Sequence, residues 1–169
     1  MKKLFYVCIS MVLLAACKKD KTTTTPTATN NNTSNGGCGD GNVCFKLNGT
    51  QISKTGGGYL MADTFTFVKY EEGAKQLSID IFGNTAGSYT VGDKRLKGRG
   101  RIYYFPENNK MYMSNIGSLE MTELTNDRKA TGKFSGTLYL YNADTEKFTM
   151  TDSLVITEGF FTKVQLAKI

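Results

Sequence analysis

The chain contains no histidine and four cysteines, and these two facts bound its chemistry. Without an imidazole there is no His-based catalytic triad, no common proton carrier near neutral pH and no cysteine-histidine zinc site. Cys38 and Cys44 enclose the short glycine-rich segment Cys-Gly-Asp-Gly-Asn-Val-Cys, an even pair that forms a disulfide if the protein is exported to an oxidising compartment. Closing so short a loop removes little unfolded-state entropy, so its effect is local, at the start of the first strand. The carboxylates offer one catalytic arrangement, Glu120 with Glu123 or Asp80 as a pair acting on glycosides. Acidic residues at outward strand positions are usually only solubilising. Ser135 lacks the flanking glycines of a nucleophile elbow. Asp40-Gly41-Asn42 starts like a calcium loop, but Gln51 stands where the closing acid belongs. No catalytic residue, metal ligand or cofactor is therefore assigned.

Two groups of residues suit binding instead. The octet Lys94-Arg95-Leu96-Lys97-Gly98-Arg99-Gly100-Arg101 carries cations at Lys94, Arg95, Lys97, Arg99 and Arg101. It is a candidate patch for lipid phosphates or anionic glycan, or else a solvated loop or edge strand whose charges discourage association. Tyr103, Tyr104, Tyr139 and Tyr141 are candidates for a flat surface on which sugar rings lie, since a tyrosine offers an apolar face and a hydroxyl. Nucleic acid is not expected as a partner, because the folded part lacks net charge and an exported protein is in the wrong compartment. Of the formal net charge of +6, Lys2, Lys3, Lys18, Lys19 and Lys21 against Asp20 supply +4. From Cys38 onward sixteen basic residues face fourteen acidic ones, so the folded part is nearly neutral.

The N-terminal charge belongs to an expected leader and the tether that follows it. Lys2 and Lys3 precede an apolar run, Leu4 to Leu14, too short to span a bilayer as a helix, and Leu14-Ala15-Ala16-Cys17 follows before an abrupt change to Lys18-Lys19-Asp20-Lys21. This arrangement resembles a bacterial lipoprotein signal. The resemblance implies cleavage of residues 1–16, a diacylglyceryl thioether on Cys17 and an acylated new N-terminus, which together anchor a protein firmly to a membrane. Lys18 stands where some bacteria place an inner-membrane retention aspartate, so the outer membrane is the expected location. Residues 17–37, with Thr22 to Thr25, Asn30 to Asn32 and two closing glycines, lack large apolar side chains and are expected to form a disordered tether.

The elements that must position the candidate residues begin at Cys38 and form one domain to Ile169. Val43, Phe45 and Leu47 alternate with Cys44 and Lys46, and Asn48-Gly49 supplies a tight hairpin turn before Thr50-Gln51-Ile52. A long strand is predicted from Tyr59 to Tyr70, turned by Glu71-Glu72-Gly73 into a strand with Leu77, Ile79 and Ile81 on one face. Gly87 to Val91, Arg101 to Phe105, Lys110 to Met113 and Gly117 to Leu124 read as short strands. Ala130 to Tyr141 is the strongest, with Phe134, Leu138 and Leu140 opposite Thr137, Tyr139 and Tyr141. Phe148 to Thr157 follows, and Gly159 is expected to separate it from a last strand holding Phe161, Val164 and Leu166. Nine or ten strands without helical spacing predict an all-β domain, an antiparallel β-sandwich with a partly open barrel as the alternative.

Leader, tether, the Phe45-Lys46-Leu47-Asn48-Gly49 hairpin, Gly87-Ser88-Tyr89-Thr90-Val91 and the segments Gly132 to Thr137 and Leu154 to Phe161 together resemble an uncharacterised family of small β-rich lipoproteins of Gram-negative bacteria. That resemblance implies a β-rich fold and an envelope location, and brings no catalytic residues. The sequence thus leads to the expectation of a monomeric, lipid-anchored binding or structural module, held to the membrane through Cys17, with an envelope glycan or protein as partner. The alternative is a glycan-active enzyme using carboxylates.

Overall fold

The computed structural model describes residues 37–61 and 64–169. The expected leader over 1–16, the Cys17 lipidation site and the tether up to residue 36 lie outside them.

Alternation of apolar and polar residues produces ten strands: β1 (Asn42–Leu47), β2 (Thr50–Thr55), β3 (Gly57–Met61), β4 (Phe65–Glu72), β5 (Lys75–Ile81), β6 (Gly87–Val91), β7 (Arg99–Glu107), β8 (Lys110–Leu124), β9 (Lys129–Asn142) and β10 (Lys147–Lys168). They form one sheet, antiparallel except where β10 meets β3 and β6 meets β7. The pairings run in a ring, from β10 through β9, β8, β7, β5, β4 and β3 back to β10. The all-β expectation holds. No break in the hydrogen bonding divides two layers, so the arrangement has the two facing walls of a sandwich joined by shared strands, in the manner of a partly open barrel.

Inside the ring lies one core. Val43 and Phe45 of β1, Leu77 and Ile79 of β5, Ile102 of β7 and Phe161 of β10 are fully enclosed there. The Phe45 ring sits among Tyr70, Tyr104 and Phe134, with centroids 5.8, 6.4 and 6.1 Å away. Aromatic groups at such separations add to area burial through edge and offset contacts.

The Asn48-Gly49 turn is found as expected, with both residues at positive φ, 48° and 83°. Cys38 and Cys44 are disulfide-bonded, their Cα atoms 5.7 Å apart.

Three expected boundaries differ. The single strand predicted over Tyr59 to Tyr70 is two antiparallel strands, β3 and β4, with the chain reversing between Met61 and Thr64, whose amide donates to the Met61 carbonyl at 3.1 Å. Phe65 and Phe67 share the outward face of β4, and Thr66, Val68 and Tyr70 fill the core. The segments either side of Asn115 join into one strand, β8, because bulges at Ser114/Ile116 and Met121/Glu123 absorb the interruption of the alternation. Gly159 does not end a strand. It lies within β10, where a Cβ would overlap the Phe134 carbonyl and ring on β9, so glycine here permits close packing of two backbones.

Candidate functional site

Every strand that lines the core also has an outer side, and on one wall of the ring that side is not simply a solvated surface. Register places Phe67, Asp80 and Arg101 side by side across β4, β5 and β7. The next row runs Ser78, Tyr103, Met113 and Tyr139 across β5, β7, β8 and β9, and a third aligns Met111, Tyr141 and Phe148. Two segments rise at the margins: the loop after β6 with Asp93 and Arg95, and the β9–β10 turn with Ala143 and Glu146. Asn142 shapes that turn, its Oδ1 accepting from the amides of Asp144 and Thr145 at 2.9 Å. The result is a cleft of about 650 Å³, within the size range of small-molecule sites. Its floor is covered well enough that Ser78 and Met113 are buried although they point away from the core.

Aromatic side chains form the walls. Tyr141 and Phe148 lie with ring centroids 5.0 Å apart, and Phe67 stacks on Tyr59 at 4.6 Å. Between these walls runs a polar line. Gln76 Nε2 donates to Ser78 Oγ at 2.7 Å. Arg101 donates from Nη1 to the Tyr103 hydroxyl at 2.8 Å and from Nη2 to the Asp93 carbonyl, while its guanidinium carbon lies 5.9 Å from the Phe82 ring centroid. Its Nε is enclosed and has no hydrogen-bond partner among the described residues.

Asp80 faces Arg101 across the strands, yet no ion pair within 4.0 Å joins them among the described residues. Burial pushes the Asp80 carboxyl up to about 6, against the opposing pull of Arg101 and then Arg95. Burial likewise raises the Tyr103 hydroxyl, partly offset by the hydrogen bond from Arg101. Planar polar groups with free acceptors and donors, set between aromatic faces, match a ring-shaped ligand that has hydroxyls at its edge and C–H bonds on its faces.

The sequence candidates are divided by this geometry. Tyr103 and Tyr141 line the cleft, and Tyr139 shares their face, opposite Met113. Tyr104 does not belong to the surface: successive strand residues point to opposite sides, so its ring turns inward, 4% exposed, against Phe45. The basic octet is not one patch. Arg101 and Arg99 lie in β7, paired on both sides, with Arg101 in the cleft. Lys94, Arg95 and Lys97 stand on the exposed loop before it, with Arg95 at the cleft margin. The proposed carboxylate pair does not assemble either. Glu120 borders a separate shallow depression beside Ser88 and Lys133, and Glu123 is exposed on β8, whereas Asp80 lies in the cleft.

Sequence reasoning missed Phe67, Gln76, Phe105 and Phe148. For Phe105 the available signal was its phase, opposite to Ile102 and Tyr104 on the same strand; Phe67, Gln76 and Phe148 carry no such local mark. Among the described residues, no group of three or more acidic or cysteine side chains is arranged to hold a metal ion. Compared with family models, with curated proteins and with solved structures, the chain matches none.

Proposed function

We propose that this protein is a lipid-anchored envelope module that binds a glycan in the outer-face cleft. The observation that carries the reading is the polar line of Gln76, Asp80 and Arg101 held between the rings of Phe67, Phe105, Tyr141 and Phe148, with no ion pair to the Asp80 carboxylate within 4.0 Å among the described residues. A glycan hydroxyl supplies the missing donor, and the sugar face covers a tyrosine ring. The lipoprotein-like leader over 1–16, with Cys17 directly after it, supports the location, with the outer membrane favoured by Lys18.

Two measurements test this. Full-length protein screened against envelope-derived oligosaccharides is expected to retain one class, with binding lost in Tyr141→Ala and in Asp80→Asn; retention of none removes the glycan reading. Metabolic labelling with a fatty-acid analogue is expected to mark the protein but not Cys17→Ala, and labelling of that variant removes the anchor.

A second reading, hydrolysis of the bound glycan, is favoured by one observation: Asp80 is poised near neutrality in a cleft that also holds Glu146. Release of shorter sugars from the retained oligosaccharide, abolished in Asp80→Asn, is its test.

A further inference from the structure

A second hollow lies beside the cleft, at the end where β5 leads into β6. It measures about 660 Å³ and is walled by Phe65, Phe82, Ala86 and Tyr89, with backbone from Gly83 to Gly87 around it. Phe65 and Phe82 meet with centroids 5.3 Å apart. The Tyr89 ring is buried, and its hydroxyl is already used, donating to the Thr85 carbonyl at 2.6 Å. The ring closes over Gly83, where a Cβ would stand 2.7 Å from it, so the wall is formed by aromatic carbon laid on bare backbone. Polar side chains complete the lining: Thr64, Thr85 and Ser88, which are exposed, and Asn84, which is half-buried.

The rim has the opposite character. Lys97 borders the hollow and is held there by its neighbours: the Gly98 amide donates to the Phe82 carbonyl at 2.9 Å, and the Gly98 carbonyl accepts from Thr90 at 3.0 Å. Gly98 turns the chain at φ 80°, a conformation that favours glycine. Among the described residues no carboxylate lies within 4.0 Å of Lys97, nor of Lys94 or Arg95 on the same loop. Leu96, between Arg95 and Lys97, is 54% exposed. Aromatic walls, a lysine at the rim with no carboxylate within 4.0 Å among the described residues, and an exposed leucine beside it complement a molecule with a hydrocarbon chain and an acidic head.

We infer that this hollow is a binding site for a single-chain anionic amphiphile, a long-chain fatty acid, whose chain lies between Phe65, Phe82 and Tyr89 and whose carboxylate meets Lys97. The site is separate from the glycan cleft, and the inference stands or falls without it. Each methylene that enters strengthens binding about fourfold, so affinity rises with chain length until the chamber is full.

The test uses full-length protein in a cell lysate, irradiated with a diazirine-bearing palmitic acid and mapped by peptide mass spectrometry. Crosslinks are expected between residues 82 and 98. Unlabelled palmitate is expected to compete better than octanoate, and hexadecanol roughly fivefold worse than palmitate because it has no charge for an exposed lysine. Ala86→Trp fills the mouth from an exposed position and is expected to remove the crosslinks; Lys97→Gln, also at an exposed position, is expected to make palmitate and hexadecanol compete equally. Crosslinks absent from this segment, crosslinks that persist in Ala86→Trp, or equal competition by hexadecanol in the native protein would overturn the assignment.

Discussion

On the inner side of β5, Leu77, Ile79 and Ile81 are fully enclosed by other apolar groups, whereas on its outer side Gln76, Ser78 and Asp80 face the cleft. On β7 the same division sets Ile102 and Tyr104 against Arg101, Tyr103 and Phe105. Two residue sets one peptide apart thus serve different ends. The inner set gains stability by removing apolar area from water and filling space. The outer set keeps a partly buried carboxyl and an enclosed guanidinium nitrogen without partners among the described residues, which lowers stability, and the carboxyl retains hydrogen-bonding capacity for a ligand.

The comparison is tested most severely on the inner side. Ile79→Ala removes enclosed methyl groups from a site packed on all sides and is expected to destabilise the domain by about 2 to 5 kcal/mol, read from the urea midpoint. A loss as small as that expected at outer positions would erase the distinction. Reduction of the Cys38–Cys44 bridge, which closes a short loop at the edge of the fold, is expected to cost about 2 kcal/mol by the chain-entropy account, with the core transition otherwise unchanged.

Asp80→Asn sharpens the comparison by reversing the sign. The folded carboxyl titrates at about 6 against 3.8 for an unperturbed aspartate, so the fold holds its proton more tightly than the unfolded chain does. Below 3.8 both states are protonated and there is no penalty; it grows between 3.8 and about 6 and is constant above. The variant is therefore expected to be more stable than the native protein at pH 7, by about 1 kcal/mol once water reaching the cleft is allowed for, and equal to it at about pH 3. Destabilisation at pH 7 would mean that the carboxylate has a structural partner. The smallest stability effect, under about 1 kcal/mol, is expected for Tyr141→Ala, together with at least a roughly tenfold loss of glycan affinity. A variant that loses both or neither would remove the division of labour between the two faces.

Much of the inner face was legible in the sequence, because the apolar residues of β5, β9 and the β1–β2 hairpin repeat with the period of the pleat. The failures came where that period carries two meanings. Phe65 and Phe67 alternate as well as Val68 and Tyr70 do, and nothing local says which set faces the core. Their orientation depends on the neighbouring strands, and the reversal between Met61 and Thr64 is marked by neither glycine nor proline. Long strands were cut short for a related reason. A glycine reads as a break when only its own flexibility is considered, yet at Gly159 it answers to a phenylalanine on another strand. The cleft was visible only in fragments. Arg101, Tyr103, Tyr141 and Asp80 were noticed separately, in segments up to sixty residues apart, and only strand register brings them to one surface.

The Cys38–Cys44 bridge has a mechanical consequence. Cys44 lies inside β1, which is flanked by β2 on one side and β10 on the other. A pull on the chain ahead of Cys38 reaches Cys44 through the two sulfur atoms as well as through the five intervening residues, the last of which, Asn42 and Val43, are themselves paired within β1. The load is then shared among the ladder bonds that join β1 to β2 and to β10 rather than falling on the first of them alone.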